Sequence, residues 1–126
     1  MDLIIAWYVV SDFERAKCFY GETLGLKKTF EIQQWAEFAA AEGAPSIGLN
    51  GAPVANRNAA SNAPAGAAHS GATVVLKVAD VEGTRASLLK KGVRFEEKIE
   101  EVPGVVRIAT FYDPDGNRLQ LAQVLM

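Results

Sequence analysis

Short apolar and polar stretches alternate along the first third of the chain, and in one longer stretch the apolar residues recur at helical spacing. Residues 3–10 are apolar at both parities, which is typical of a strand covered on both faces, so we expect a central strand. Ser11 and Glu14 have the spacing of a capping box for the helix that follows, and Gly25 is its expected end. Short strands are then predicted around residues 26–32, 34–40 and 45–50. The predicted order is βαβββ.

The last part of the chain repeats this order. A strand at 71–78 precedes a helix from Asp80 to Lys91, and further strands are predicted near 93–98, 104–112 and 117–124. The segment around Asp12 matches the segment around Asp80 at an offset of 80 − 12 = 68 residues. A repeat of this length that occurs twice predicts a duplicated half-domain and not a solenoid.

Residues 51–70 separate the two copies and are mostly Ala, Asn, Gly, Ser and Pro. Such a segment cannot bury enough apolar surface to hold itself down, so we predict a mobile connector. The chain is then one domain, 1–126, with a first module at about 1–50 and a second at about 71–126. His69, the only histidine, lies in the connector, and we interpret it as an ordinary exposed residue because no carboxylate or cysteine is beside it.

Composition excludes several classes of function. A chain of 126 residues can bury a sufficient core without a metal or disulfide. The net charge is −2 with no basic stripe, which argues against nucleic-acid binding. No apolar run approaches the roughly 20 residues of a membrane span, and the start of the chain has no basic leader. The single Cys18 agrees with a reducing compartment, so a cytoplasmic location is expected.

The run from Asp113 to Asn117 is interpreted as turn chemistry. Asp113 suits the first position of a type I turn, Pro114 the second, and Gly116 can adopt positive φ before the last strand. These preferences explain the residues without a catalytic role. No spacing suggests a Ser-His-Asp arrangement, and Cys18 is expected on the helix face opposite the apolar residues, so nucleophilic catalysis is unsupported.

Three features together resemble the vicinal oxygen chelate superfamily, which includes glyoxalase I, bleomycin-resistance proteins and extradiol dioxygenases. They are the doubled βαβββ order, the run Val-Ser-Asp-Phe-Glu at 10–14 and the run Phe-Tyr-Asp-Pro-Asp-Gly-Asn at 111–117. The resemblance covers essentially the whole chain. It implies an α+β fold in which each module curls into a half-barrel and the paired modules enclose a cleft for a small molecule. It leaves the activity open, because one fold hosts many chemistries.

Metal-using members of this superfamily carry a ligand, usually His or Glu, on the first and last strand of each module. The resemblance places those positions at Ile5, Gly48, Thr73 and Gln120. Divalent metals in such sites favour imidazole or carboxylate ligands, and a slip of two residues in either direction finds neither. We therefore expect no metal and no cofactor.

Without metal ligands, the resemblance implies a cleft lined by aromatic, amide and cationic side chains. Alternation allows only one of Trp35 and Phe38 to face inward, and the other is expected to pack against a helix or a partner subunit. Arg107 is expected to meet an anionic or carbonyl group on a ligand. A core position for the tryptophans and a surface position for Arg107 are equally compatible with the pattern. The candidate ligand-binding residues are Trp7, Trp35, Phe38, Asn50, Thr73, Arg107, Phe111 and Gln120.

Two functions of different class remain. The first is a metal-independent homodimer, similar to the bleomycin-resistance proteins, that sequesters a planar or amphipathic ligand without turnover. The second is a glyoxalase- or dioxygenase-like enzyme that takes metal ligands from elsewhere, for instance Glu37 and a partner chain, or that polarises its substrate through Gln120 and Arg107. The missing metal ligands favour the first, and a purely structural or protein-interaction role is less favoured because two tryptophans beside polar groups indicate a pocket.

Overall fold

The computed structural model describes residues 1–52 and 72–126. The chain divides into two units, Met1–Ala68 and His69–Met126. His69 and the predicted connector, apart from Gly51 and Ala52, lie outside the described residues. The assignment of the whole chain to a single domain stays a prediction.

Residues 1–52 of the first unit have the predicted βαβββ order, with one helix against one sheet. Strand order in the sheet is β1-β4-β3-β2; β1 and β4 are parallel and the other pairs are antiparallel. The elements are β1 (Ile5–Val9), α1 (Phe13–Cys18) continued by a π-helical turn (Phe19–Thr23), β2 (Lys27–Ile32), β3 (Trp35–Ala39) and β4 (Ser46–Asn50).

The second unit repeats this plan with one addition. Its strand order is β5-β9-β8-β6, with β5 and β9 parallel, and a further short strand, β7, also pairs with β8. The strand predicted at 93–98 is therefore shorter than expected. The elements are β5 (Val74–Lys77), α2 (Val81–Lys90), β6 (Arg94–Phe95), β7 (Glu100–Val102), β8 (Val106–Tyr112) and β9 (Arg118–Val124). The α+β prediction is confirmed for both units.

The prediction of a central strand at 3–10 is wrong within the first unit. Strand β1 pairs only with β4 in its four-stranded sheet and so forms an edge of that sheet. Leu3 and Ile4 precede the strand and are exposed, and half of the Trp7 side chain is exposed. The apolar residues at both parities therefore do not mark a strand covered on both faces.

Helices α1 and α2 are both capped by an aspartate, and in α1 this is not the residue that was predicted. Asp12 has extended backbone, and its side chain accepts the Arg15 N–H at 3.0 Å. Asp80 caps α2 by accepting the Gly83 N–H at 3.2 Å. The capping box at Ser11 is thus wrong by one residue. The 68-residue repeat aligns Asp12 with Asp80, and these two residues are the N-caps.

One face of each sheet packs against its own helix and forms the core of the unit. Side chains on that face alternate with side chains on the opposite face, as expected for strands. In the first unit the buried residues include Phe13, Ala16, Tyr20, Ala36, Phe38, Ile47 and Leu49. In the second they include Val81, Leu88, Ala109, Phe111, Leu119 and Leu121. Neither helix among the described residues is long and apolar enough to cross a membrane.

The Asp113–Asn117 segment connects β8 to β9 as the predicted turn. The Gly116 N–H donates to the Asp113 carbonyl at 2.9 Å, and Gly116 has φ 85°. The Asp113 side chain is only 1% exposed; one oxygen accepts the N–H groups of Asp115 and Asn117, and the other accepts the Asn117 amide. The structural interpretation of Asp113 is confirmed, because both of its carboxylate oxygens accept hydrogen bonds from its own turn.

Candidate functional site

The face of the first sheet opposite α1 carries a group of large apolar side chains. The register aligns Trp7, Gly48, Glu37 and Phe30 in one row across the four strands. The exposed fractions are 51% for Trp7, 49% for Phe30 and 55% for Ile32. We call this surface the aromatic face; its members are Trp7, Phe30, Ile32, Trp35, Glu37 and Gly48.

The two tryptophans of the aromatic face are in contact above a glycine. Their ring centroids are 5.9 Å apart and their planes meet at 64°, an edge-to-face arrangement. A Cβ atom at Gly48 would lie 2.6 Å from Cη2 of Trp35 and 2.9 Å from Cβ of Trp7. Real Cβ atoms do not approach neighbours this closely, so the position of the Trp35 ring depends on glycine at 48.

Glu37 orients the Trp35 ring. The indole Nε1–H donates to a Glu37 carboxylate oxygen at 2.7 Å, and the two residues are neighbours on the same side of β3 because they are two apart. Sequence reasoning considered Glu37 only as a replacement metal ligand. The signal for its actual contact was the i, i+2 spacing from Trp35.

Two other predicted residues of this unit are placed differently. Phe38 lies on the helix side of β3, buried, with its ring 6.3 Å from that of Tyr20. The structure therefore does not bring Phe38 together with the tryptophans, and the expectation that one of Trp35 and Phe38 packs against a helix is confirmed. Asn50 pairs with Trp35 in the β3–β4 register, and its Oδ1 accepts the Ala52 N–H at 3.0 Å.

The corresponding face of the second sheet is polar. We call it the polar face. The Gln120 amide donates to the Thr110 hydroxyl at 3.1 Å. Arg118 donates through Nε and Nη2 to the Thr73 hydroxyl at 2.9 and 2.7 Å. The face forms an open cleft of about 420 Å³ lined by Glu96, Glu97, Lys98, Glu100, Thr110, Tyr112, Arg118 and Gln120.

Tyr112 is the titratable group of the polar face with a shifted pKa. Its hydroxyl donates to Glu96 at 2.7 Å, and this bond to a carboxylate, together with partial burial, raises the pKa of the phenol. The guanidinium of Arg94 lies 5.7 Å from the centre of the Tyr112 ring. Ionisation of the Tyr112 phenol is therefore disfavoured by Glu96.

Arg107 and Phe111 do not lie on the polar face, which corrects the expectation that they line a cleft with Gln120. Phe111 is fully buried on the helix side, 5.2 Å from the ring of Phe95. Arg107 forms ion pairs with Glu82 at the start of α2 and, at 3.2 Å, with Glu101. Its charge is thus engaged by carboxylates, and the Glu82 contact raises the pKa of the guanidinium further.

Cys18 is exposed on α1, as predicted, and its thiol donates to Glu22 at 2.9 Å. This hydrogen bond raises the pKa of the Cys18 thiol. The thiolate is the reactive form of cysteine, so this environment lowers reactivity.

The family model of the glyoxalase/bleomycin resistance protein/dioxygenase superfamily matches residues 4–121. The chain belongs to this superfamily.

Solved structures of superfamily type resemble nearly the whole chain. TnmS3, an antibiotic binding protein from Streptomyces sp. CB03234, has 29% sequence identity and a TM-score of 0.74 over 98% of this chain and 96% of its own. A superfamily member from Sphaerobacter thermophilus DSM 20745 has 25% identity and a TM-score of 0.73 over 98% and 97%. Lactoylglutathione lyase from Agrobacterium tumefaciens shares the fold, at 17% identity and a TM-score of 0.70 over 97% and 92%. Among proteins with curated descriptions, none matches this chain in sequence.

The residues that the resemblance places at metal-ligand positions do not suit a divalent metal. Ile5 has no donor atom and Gly48 has no side chain, while the Thr73 hydroxyl accepts two hydrogen bonds from Arg118. Within residues 1–52 and 72–126, no group of three or more His, Cys, Asp or Glu side chains is arranged to hold a metal ion.

Proposed function

We propose that this superfamily member binds a planar or amphipathic small molecule without a metal ion, in the manner of a bleomycin-resistance-type protein. The observation that carries the proposal is the pair of tryptophans placed edge to face over Gly48. The Trp7 side chain is half exposed, so its ring forms part of an accessible aromatic surface and is not buried in the core. The function is sequestration, with no covalent step required.

The energetics favour an aromatic ligand. A ring that stacks on an indole gains about 0.5–1.5 kcal/mol beyond the area that it buries. Phe30 and Ile32 extend the apolar surface beside the tryptophans. The likeness to TnmS3, described as an antibiotic binding protein, supports an antibiotic as the ligand and resistance as the consequence.

Titration with planar aromatic dyes tests the proposal. We expect tryptophan fluorescence to change on binding, and Trp7→Ala and Trp35→Ala each to weaken affinity about tenfold. Val75→Ala is a matched control, because 7 + 68 = 75 places Val75 at the repeat equivalent of Trp7, and its side chain is 52% exposed. Full affinity in both tryptophan variants would overturn the aromatic-face hypothesis.

The enzyme hypothesis is weakened by the position of Arg107. The metal-free form of this hypothesis uses Gln120 and Arg107 to polarise one substrate, and the two side chains lie on opposite faces of the second sheet. Glu37, its replacement metal ligand, accepts the Trp35 indole. Turnover of the methylglyoxal–glutathione hemithioacetal, with and without added Zn²⁺ or Ni²⁺, tests this alternative. Metal-dependent turnover, with about one metal per chain removable by chelator, would replace our proposal.

Homodimerisation is also part of the proposal. In residues 1–52 the sheet has two edge strands, β1 and β2, and exposed strand edges are usually covered. We expect a dimer by sedimentation at micromolar concentration, and a clean monomer would contradict a binding site shared between subunits.

The single Cys18 supports a cytoplasmic location.

A further inference from the structure

Glu37 is the carboxylate at the centre of the aromatic face. It shares a row across the sheet with Trp7, Gly48 and Phe30, and Gly48 between Glu37 and Trp7 has no side chain. Neighbouring strands are about 4.8 Å apart, so the Glu37 and Trp7 backbones are about 10 Å apart. A planar ligand on the tryptophans would therefore lie within reach of the Glu37 carboxylate.

The other charged side chains of this unit that form ion pairs are engaged elsewhere. Glu31, on the helix side of β2, binds Lys17 at 2.8 Å and Lys28 at 2.7 Å. Lys27 lies 3.5 Å from Glu42. Within residues 1–52, no lysine or arginine forms an ion pair with Glu37. The aromatic face thus has a carboxylate whose charge is not neutralised by any cation within residues 1–52.

The known hydrogen bond of Glu37 leaves acceptor capacity. A carboxylate has about four acceptor sites, and the Trp35 indole N–H takes one of them. The Thr29 hydroxyl donates to the backbone carbonyl of Glu37, at 3.4 Å, and not to the side chain. A donor on a ligand can therefore bind the carboxylate while Trp35 keeps its hydrogen bond and its orientation.

A negative charge beside two indole rings favours one class of ligand. A protonated amine gains a charge-assisted hydrogen bond to the carboxylate and is attracted by the faces of the rings. An anionic ligand of the same shape is repelled by the carboxylate. This polarity is opposite to the sequence expectation, in which Arg107 was to meet an anionic or carbonyl group.

We propose that Glu37 determines the specificity of the aromatic face for planar aromatic cations, ring systems that carry a protonated amine or amidinium. This inference rests on the proposed function of the same surface. Glu37 has two roles that can be separated, since it orients Trp35 through a hydrogen bond and selects the ligand through its charge.

Two dyes with the same ring system test the charge preference. Proflavine is a cationic acridine at pH 7, and acridine-9-carboxylate is anionic; their affinities are measured by equilibrium dialysis at 50 mM salt. We expect proflavine to bind at least about tenfold more tightly, with the difference decreasing at high salt because the charges are screened.

Glu37→Gln separates the two roles of the residue. Its amide oxygen can still accept the Trp35 indole, while the charge is lost. We expect proflavine to bind about tenfold more weakly and the acridine carboxylate to bind as well as or better than before. Glu31→Gln, on the opposite face of the neighbouring strand, is the control that should change neither affinity.

Trp35→Phe provides a second, independent variant. It removes the indole N–H from Glu37 but keeps an aromatic ring, so both dyes should weaken while the cation preference remains. If neither dye binds the parent protein, the proposed function fails and this inference with it. If both bind the parent equally, if the anion binds better, or if Glu37→Gln keeps the preference, the inference on Glu37 is wrong and the binding function stands.

Discussion

The two units share a framework and differ on the face that the helix does not cover. Asp12 and Asp80 cap the two helices at equivalent positions of the repeat. Trp7 and Val75 are also equivalent by the 68-residue offset, yet the first contributes to an aromatic surface and the second borders a polar one. The comparison separates residues that build the repeat from residues that distinguish its copies.

The difference has a physical reason. The helix-facing side of each sheet is close-packed, so size and shape are constrained there by neighbours within the unit. Among residues 1–52 and 72–126, the opposite side of each sheet is not covered by a helix of the same unit. The same backbone plan therefore accommodates two different surfaces. In the first unit it carries indole rings over Gly48, and in the second it carries a network of hydroxyl, amide and guanidinium groups.

The largest expected effect tests which face of the second sheet is core. Phe111→Ala removes a fully buried ring and should lower the free energy of unfolding by about 3–5 kcal/mol. Gln120→Ala, on the other face and half-buried, should cost less than about 1 kcal/mol. Urea denaturation of both variants makes the comparison, and equal losses would show that the two faces of β8 and β9 have been assigned wrongly.

The strand connections of the two units give the next contrast. Asp113→Ala removes a buried carboxylate that accepts three hydrogen bonds in the β8–β9 turn and should cost at least about 1.5–3 kcal/mol. Glu42→Ala, in the β3–β4 connection, removes only an exposed ion pair with Lys27 and should change stability by less than about 1 kcal/mol. A neutral Asp113→Ala by the same denaturation measurement would contradict the structural role of this residue.

Gly48→Ala tests the packing that distinguishes the aromatic face. The added methyl group would overlap the Trp35 ring, and we expect a loss of about 1–3 kcal/mol together with a changed near-ultraviolet circular dichroism signal. In a Trp35→Ala background the same substitution should cost much less, because its nearest neighbour is gone. Additive costs in this double-mutant cycle would mean that the Trp35 ring does not lie over Gly48.

The smallest expected effect concerns the polar face. The hydrogen bond to Glu96 raises the pKa of the Tyr112 phenol above its ordinary value of about 10. Glu96→Gln removes a negative charge that opposes ionisation, so the pKa of Tyr112 should fall toward that value, while Glu97→Gln should have little effect. Absorbance titration of tyrosinate at alkaline pH measures the shift, and an unchanged titration would place the Tyr112 hydroxyl elsewhere.

Several site residues could be predicted only in part. Alternation correctly separated Trp35 from Phe38, since strand side chains have a period of two. It also grouped Arg107 with Phe111, and both do lie on one face of β8. That face is the helix side and not the face that carries Gln120, because alternation defines two faces without indicating which is covered by the helix.

The sequence by itself determined the βαβββ repeat, the superfamily, the equivalence of Asp12 with Asp80 and the turn at Asp113, because these depend on periodicity and on hydrogen bonds between residues close in the chain. Only the tertiary structure decided that β1 is an edge strand, that Arg107 pairs with Glu82 and that Trp35 lies over Gly48. Those features depend on the packing of each helix and the register of strands distant in the chain, for which a local pattern carries no information.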